Sequence, residues 1–231
     1  MNFRIERYGT VASTNDLLRE KARAGAPAGT VAVAARQTAG RGRMGRSFLS
    51  EEGGLYMSLL LRPSGSAADA MRITAQAAIA VALAIEKHTG VPAAIKWVND
   101  IYQGGKKVCG ILAEGQAGED GMDFVILGIG VNLRAPKGGF PEELAAIAGA
   151  LATEVDRDAL LADILQNLAV THAHAEYAAR DMLLGKTVTV YRGGEAVCTA
   201  RANGITEDFG LRLVTGHGEE ILRTGEVSIR M

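Results

Sequence analysis

The sequence predicts an α+β fold with a small all-β tail, on three observations. Helical and strand-like runs interleave through the first 184 residues, and the turn Gln103-Gly104-Gly105-Lys106 joins two apolar runs in the middle of them. At Gly185 the texture changes to short alternating runs separated by glycine turns. A hairpin inside an alternating pattern makes the main sheet mixed, because wholly parallel sheets need a crossover between every pair of strands. Residues 1–184 are read as one domain and 185–231 as another, whose 47 residues are too few for an independent core and should pack on the first.

The elements follow in order. Ser13 or Thr14 can cap a helix running through Asn15-Asp16-Leu17-Leu18-Arg19-Glu20-Lys21, ended by Gly25 and Pro27. Val31 to Ala35 is a short apolar run, a buried strand feeding a loop, and Leu55 to Leu61 is another strand. Ala67 to His88 reads as a long helix closed by Gly90, with Pro92 beyond it. Strands are expected at Ala94 to Val98, Val108 to Glu114 and Phe124 to Val131, and helices at Glu142 to Ala150 and Asp156 to Leu184. In the tail Thr187 to Tyr191 alternates, and turns at Gly193-Gly194, Asn203-Gly204 and Gly216-His217-Gly218 outline a small barrel.

Composition removes several classes. A net charge of −1 supplies no global field for nucleic acid or an anionic membrane, and 48% hydrophobic with 22% charged residues is ordinary for a globular domain. Ile73 to Ile85, the most apolar stretch, is too short and too mild to span a bilayer. Two cysteines and a polar N-terminus point to a reduced, cytoplasmic protein. His172 and His174, two apart on an expected helix, face different directions and make a poor metal pair, and Cys109 sits in an apolar strand as a core residue. No serine lies in a G-x-S-x-G turn, so neither a structural metal nor a covalent enzyme intermediate is expected.

Chemistry concentrates between Arg36 and Arg46, where four arginines and three glycines fall within eleven residues. Glycines let backbone amides turn toward an anion, and guanidinium forks match phosphate or carboxylate oxygens in pairs. The segment reads as an anion trap, an RGG-like nucleic-acid arm or a solvated loop.

Gly40-Arg41-Gly42-Arg43-Met44-Gly45-Arg46 closely resembles the ligand loop of biotin protein ligases, and other landmarks follow in the family's order. Ser13-Thr14-Asn15 is similar to its serine-threonine-asparagine motif, and Gln37 to the glutamine before the loop. Lys96-Trp97-Val98-Asn99-Asp100 is similar to its lysine-tryptophan-proline-asparagine-aspartate signature. Lys107 to Glu114 resembles the strand bearing the key lysine, and Gly128-Ile129-Gly130-Val131-Asn132-Leu133 the next strand. Val98 stands where proline is usual, and Phe48 where many members carry a tryptophan against the nucleotide.

The resemblance implies a catalytic domain of the class II aminoacyl-tRNA synthetase and biotin synthetase type, with an SH3-like C-terminal barrel. It implies ATP-dependent formation of biotinyl-5′-AMP and transfer of biotin to a lysine of a biotin carboxyl carrier domain, as in acetyl-CoA carboxylase. This sequence has no residue to spare before Ser13 for a helix-turn-helix, so the resemblance is to ligases that are not DNA-binding repressors, and the family adds a homodimer that no spacing displays.

Biotin's implied site is Ser13, Thr14, Asn15, Gln37, Gly40, Arg41, Gly42, Arg43, Lys107, Gly110, Gly128 and Gly130; that of ATP is Arg43, Arg46, Phe48, Lys96 and Asn132. Lys107 would bridge carboxylate and phosphate oxygens, Arg43 would add a second cation, and Mg²⁺ would screen the remaining phosphates. Asp100 would accept a proton, meet Mg²⁺ or orient Lys96. On spacing alone Ser13 and Thr14 also read as helix caps, Lys107 as a turn-flanking surface lysine, and Asn132 as a buried residue satisfying backbone groups. The superfamily also contains lipoate and octanoate ligases, which remain the alternative enzyme.

Overall fold

The computed structural model describes residues 2–63, 69–118, 121–223 and 227–230. A seven-stranded mixed sheet is built from β1 (Arg4–Val11), β2 (Thr30–Gln37), β3 (Leu55–Leu61), β4 (Ala94–Lys96), β5 (Asp100–Gln103), β6 (Lys106–Gly118) and β7 (Gly121–Val131), in the order β1-β2-β3-β7-β6-β5-β4. Only β1 and β2 pair in parallel; the other neighbours are antiparallel.

Alternation along the strands gives each face its own helix. Leu18 and Ala22 of α1 (Thr14–Arg23) pack with Ala32, Leu60, Phe124 and Ile126 on one face. On the other, Val31, Val33, Leu59 and Leu127 meet α2 (Asp69–Thr89), which is backed by α4 (Arg157–Leu168). Alanines at 75, 77, 78, 80, 82 and 84 of α2 are all fully buried, so the helix lies flush against both layers. Ala67 and Ala68, where that helix was expected to begin, lie outside the described residues.

Four expectations need correction. The strand from Ala94 stops at Lys96, and Trp97 to Asn99 turn the chain into β5, which pairs back on β4; the Gln103–Lys106 turn joins β5 to β6. The helix expected over Glu142 to Ala150 is one turn, α3 (Glu142–Ala145), because the chain beyond it pairs with a strand end: Lys107 N donates to Ile147 O at 2.8 Å and Gly149 N to Lys107 O at 2.9 Å.

The helix expected over Asp156 to Leu184 breaks into α4 and α5 (His174–Ala178). β-Branched Val170 and Thr171 favour the break, and the Gln76 amide holds both backbone groups of His172, at 2.7 and 3.0 Å. His172 thus sits in the connection, not on a helix. Asn203-Gly204 is no turn but part of β9 (Glu195–Ile205), where the register with β10 (Leu211–Thr215) shifts; the reversal comes at Thr206–Gly210.

Residues 187–230 contribute a smaller antiparallel sheet, β11-β10-β9-β8-β12, with β8 (Thr187–Arg192), β11 (Gly218–Leu222) and β12 (Val227–Arg230). Its buried Val188, Val190, Leu211 and Leu213 belong to the same apolar cluster as α2, and Trp97 Nε1 donates to Phe209 O at 2.8 Å across the junction. Among the described residues no helix is long and apolar enough to cross a membrane.

Candidate active site

The site lies across β6 and β7, and register explains its layout. Gly110 faces Gly130 and Leu112 faces Gly128 across the pair, so two glycines of β7 and one of β6 leave a floor without side chains. Lys107 is three residues from Gly110, an odd spacing that should send it to the opposite face. The β5–β6 register shifts between Ile101, opposite Cys109, and Tyr102, opposite Lys107, leaving Val108 as the extra residue of a bulge. Lys107 therefore swings into phase: its Cε lies 3.3 Å from where a Gly110 Cβ would stand, and its Nζ is 2.7 Å from Asp100 Oδ1. The flanking bonds to Ile147 and Gly149 fix its backbone, and Gly149 permits that approach because a Cβ there would lie 2.5 Å from Lys106 Cβ.

The roof is the arginine loop. Gly40 O accepts from Phe48 N at 2.9 Å, Gly42 N donates to Arg46 O at 2.7 Å, and Met44 takes a left-handed φ of 57° between them. Phe48 then points into the site, where Cβ atoms at Gly110 and Gly130 would stand 3.1 and 2.6 Å from its ring. Arg43 Nη1 donates to Asn99 Oδ1 at 2.6 Å; burial holds this guanidinium below its ordinary value, with Asp100 opposing the shift.

The far end is polar. Ser13 caps α1, its Oγ accepting from Asp16 N at 3.4 Å. Thr14 N and Oγ1 both donate to Gln37 Oε1, at 2.8 and 3.0 Å, and Gln37 Nε2 donates to Ser50 Oγ at 2.9 Å. Asn15 lies over Gly128, where a Cβ would collide with its amide, and donates to Glu114 Oε2 at 2.7 Å. Between these ends the slot encloses about 50 Å³.

Of the residues expected here, Ser13, Thr14, Asn15, Gln37, Arg41, Gly42, Arg43, Phe48, Lys107, Gly110, Gly128 and Gly130 line the slot. Gly40, Arg46, Lys96, Asp100 and Asn132 do not: Gly40 closes the loop's base, Asp100 holds Lys107, and Asn132 donates to Gly149 O at 2.9 Å. Asn99 and Leu112, which the motifs include without a role of their own, and Met57 also line the slot. Cys109 is fully buried and its thiol is pushed far up by burial, which leaves it inert.

Ser58 was missed as well. It is fully buried, with Oγ 2.7 Å from Thr14 Oγ1 and 2.6 Å from Asn15 Oδ1. A lone serine inside the apolar run Leu55-Tyr56-Met57-Ser58-Leu59-Leu60-Leu61 was the available signal. Ser58→Ala leaves both partners short of a buried hydrogen bond and should cost about 1–3 kcal/mol, read as a lower midpoint in urea unfolding with the slope unchanged.

A family model described as the Biotin/lipoate A/B protein ligase family matches residues 8–132. The chain is 44% identical over 163 residues to the bifunctional ligase/repressor BirA of Bacillus subtilis, covering 68% of this chain and 50% of that protein. It thus spans about half the length of the Bacillus relatives it matches. It is 33% identical over 216 residues to the biotin--[acetyl-CoA-carboxylase] ligase of Paracoccus denitrificans, covering 84% and 88% of the two chains. Among solved structures it is similar to the biotin protein ligase from Aquifex aeolicus in complex with biotin and ATP, at 30% identity, a TM-score of 0.84 and 98% coverage of both.

Proposed function

This chain belongs to the biotin/lipoate A/B protein ligase family, and on that footing we propose that it activates biotin with ATP and transfers it to a carrier lysine. The observation that carries the reading is the polarity of the slot. Thr14, Asn15 and Gln37 gather hydrogen-bonding groups at one end, glycines floor the middle, and Lys107 and Arg43 place cations at the other. Biotin has the same sequence of parts: a polar ureido ring, an apolar body and a carboxylate tail.

ATP enters as its magnesium complex. The biotin carboxylate attacks the α-phosphorus, pyrophosphate leaves, and biotinyl-5′-AMP forms. Two anions must meet, so cations that grip harder as charge gathers on the five-coordinate phosphorus lower the barrier. Lys107 and Arg43 are those cations, with Arg46, Lys96, Asn132 and the Phe48 ring on the nucleotide side. Lys107 exchanges its Asp100 contact for the carboxylate and phosphate oxygens. In the second step the carrier lysine's neutral amine attacks the biotinyl carbonyl and AMP leaves; Asp100, released from Lys107, accepts the proton.

On this reading residues 1–184 form the catalytic domain, of the class II synthetase type, and residues 185–231 an SH3-like barrel. The partner is a biotin carboxyl carrier domain, the working state is a cytoplasmic homodimer, and Cys109 and Cys198 stay reduced. The nucleic-acid reading is disfavoured because three of the loop's arginines are already partnered within the chain: Arg36 with Glu51, Arg41 with Asp16 and Glu114, and Arg43 with Asn99.

Labelled biotin, ATP and Mg²⁺ with a purified carrier domain test the proposal. Carrier labelling supports it, whereas labelling only by octanoate or lipoate would move the chain to the sister activity. No acyl transfer, together with a salt-sensitive gel shift, would restore the binding-module reading. Because the adenylate hydrolyses if exposed, the loop should close over it: trypsin cleavage at Arg41, Arg43 and Arg46 slows about tenfold or more with biotin plus ATP. Equal cleavage with and without ligands would contradict closure.

A further inference from the structure

We propose that Asp16 and Glu114 are positioning residues that seat the arginine loop, so that the loop's closure is governed by one carboxylate pair shared with the polar end of the slot. The inference rests on the ligase reading for its consequence, but not for its geometry.

Arg41 leaves the loop and forks between two elements, with Nη1 2.8 Å from Asp16 Oδ1 on α1 and Nη2 3.0 Å from Glu114 Oε1 on β6. Arg19, one turn along α1, pairs with the same two carboxylates, meeting Glu114 Oε2 at 3.0 Å. The four side chains alternate in charge, and the loop contributes only Arg41. Glu114 also accepts from Asn15 Nδ2 at 2.7 Å, and Asn15 covers Gly128 and is held by Ser58. A shift of Glu114 therefore reaches the loop's seat and the slot floor together.

Exposure divides the ring into a fixed half and a releasable half. Arg19 and Glu114 are 22% and 20% exposed, while Arg41 and Asp16 are 44% and 40% exposed. Ion pairs open to water are weak and screened by salt, so Arg41 can leave and return cheaply while Arg19 keeps Glu114 in place. Arg19 thus holds the acceptors ready for the loop's return, a preorganised seat that favours one closed position.

Two readouts separate this from a purely structural role. In the ligand-free full-length chain, Glu114→Gln, which keeps the side chain's shape, should raise trypsin cleavage at Arg43 and Arg46 about threefold to fivefold at an unchanged melting temperature. The adenylate formed from biotin and MgATP should leave the enzyme faster by a similar factor, and added salt should speed release from the wild type but not from Asp16→Asn/Glu114→Gln. Wild-type cleavage and release rates in both variants would overturn the proposal. Should Glu114→Gln fail to fold, Asp16→Asn, whose side chain is less buried, decides alone. A wild-type chain that cleaves as expected but forms no adenylate would refute the ligase reading and leave the loop's seat intact.

Discussion

On the proposed ligase reading, Lys107→Ala should lower the rate of biotinyl-adenylate formation by about 10²–10³-fold, a loss of about 3–4 kcal/mol of transition-state stabilisation. The ammonium lies at the end of the glycine floor, where the proposed reaction brings carboxylate and phosphate together. Arg43, the second cation of the proposed chemistry, remains in the variant, so the loss is large but not complete. Pyrophosphate release with biotin and ATP measures the step. Lys107 and Asp100 are 26% and 22% exposed, so the unfolding midpoint is measured alongside, to separate loss of this partly buried pair from loss of chemistry. Lys107→Arg keeps the charge but replaces a compact ammonium with a planar fork, and should fall between the two. An alanine variant within tenfold of wild type would remove Lys107 from the proposed chemistry.

The position of Lys107 also shows where sequence reading stops. Its strand and its glycine partners were legible, since Gly110, Gly128 and Gly130 interrupt apolar runs that otherwise read as buried strands. The bulge at Val108 was not, because nothing in a run of strand formers marks which residue drops out of register, yet only that slip aims Lys107 at the floor.

β1 was hidden for a different reason. Arg4-Ile5-Glu6-Arg7 carries three charges in four residues, which an edge strand tolerates and a central one does not. The helices expected beyond Ala145 and Leu168 failed where distant groups, Lys107 and Gln76, took the backbone bonds that a helix needs. Local pattern specified the elements; long-range pairing set their ends and the orientation of the site.

Gly40→Ala should be nearly as damaging as loss of Lys107, although Gly40 does not line the slot. A Cβ there would run into Phe48 O and Ser50 Oγ. Those atoms knit the base of the loop: Ser50 Oγ donates to Phe48 O and accepts from Gln37 Nε2, both at 2.9 Å, beside the bond from Phe48 N to Gly40 O. Neither can yield alone, because Gln37 also holds Thr14 at the polar end of the slot and Phe48 rests against Gly110 and Gly130.

Alanine should therefore part the loop's two limbs by a few tenths of an ångström or more and misplace Arg41, Arg43 and Phe48 together. Misplacement on the scale of an ångström costs about 10²-fold, expected mainly in kcat/KM for biotin, with about 1–3 kcal/mol of stability lost to overpacking. Gly45→Ala is the comparison. Gly45 has a φ of 72° with open space around it, so alanine there meets backbone strain of about 1–2 kcal/mol and no collision. If the two variants had equal effects on kcat/KM, strain in the loop rather than closure at its base would set the geometry of the site.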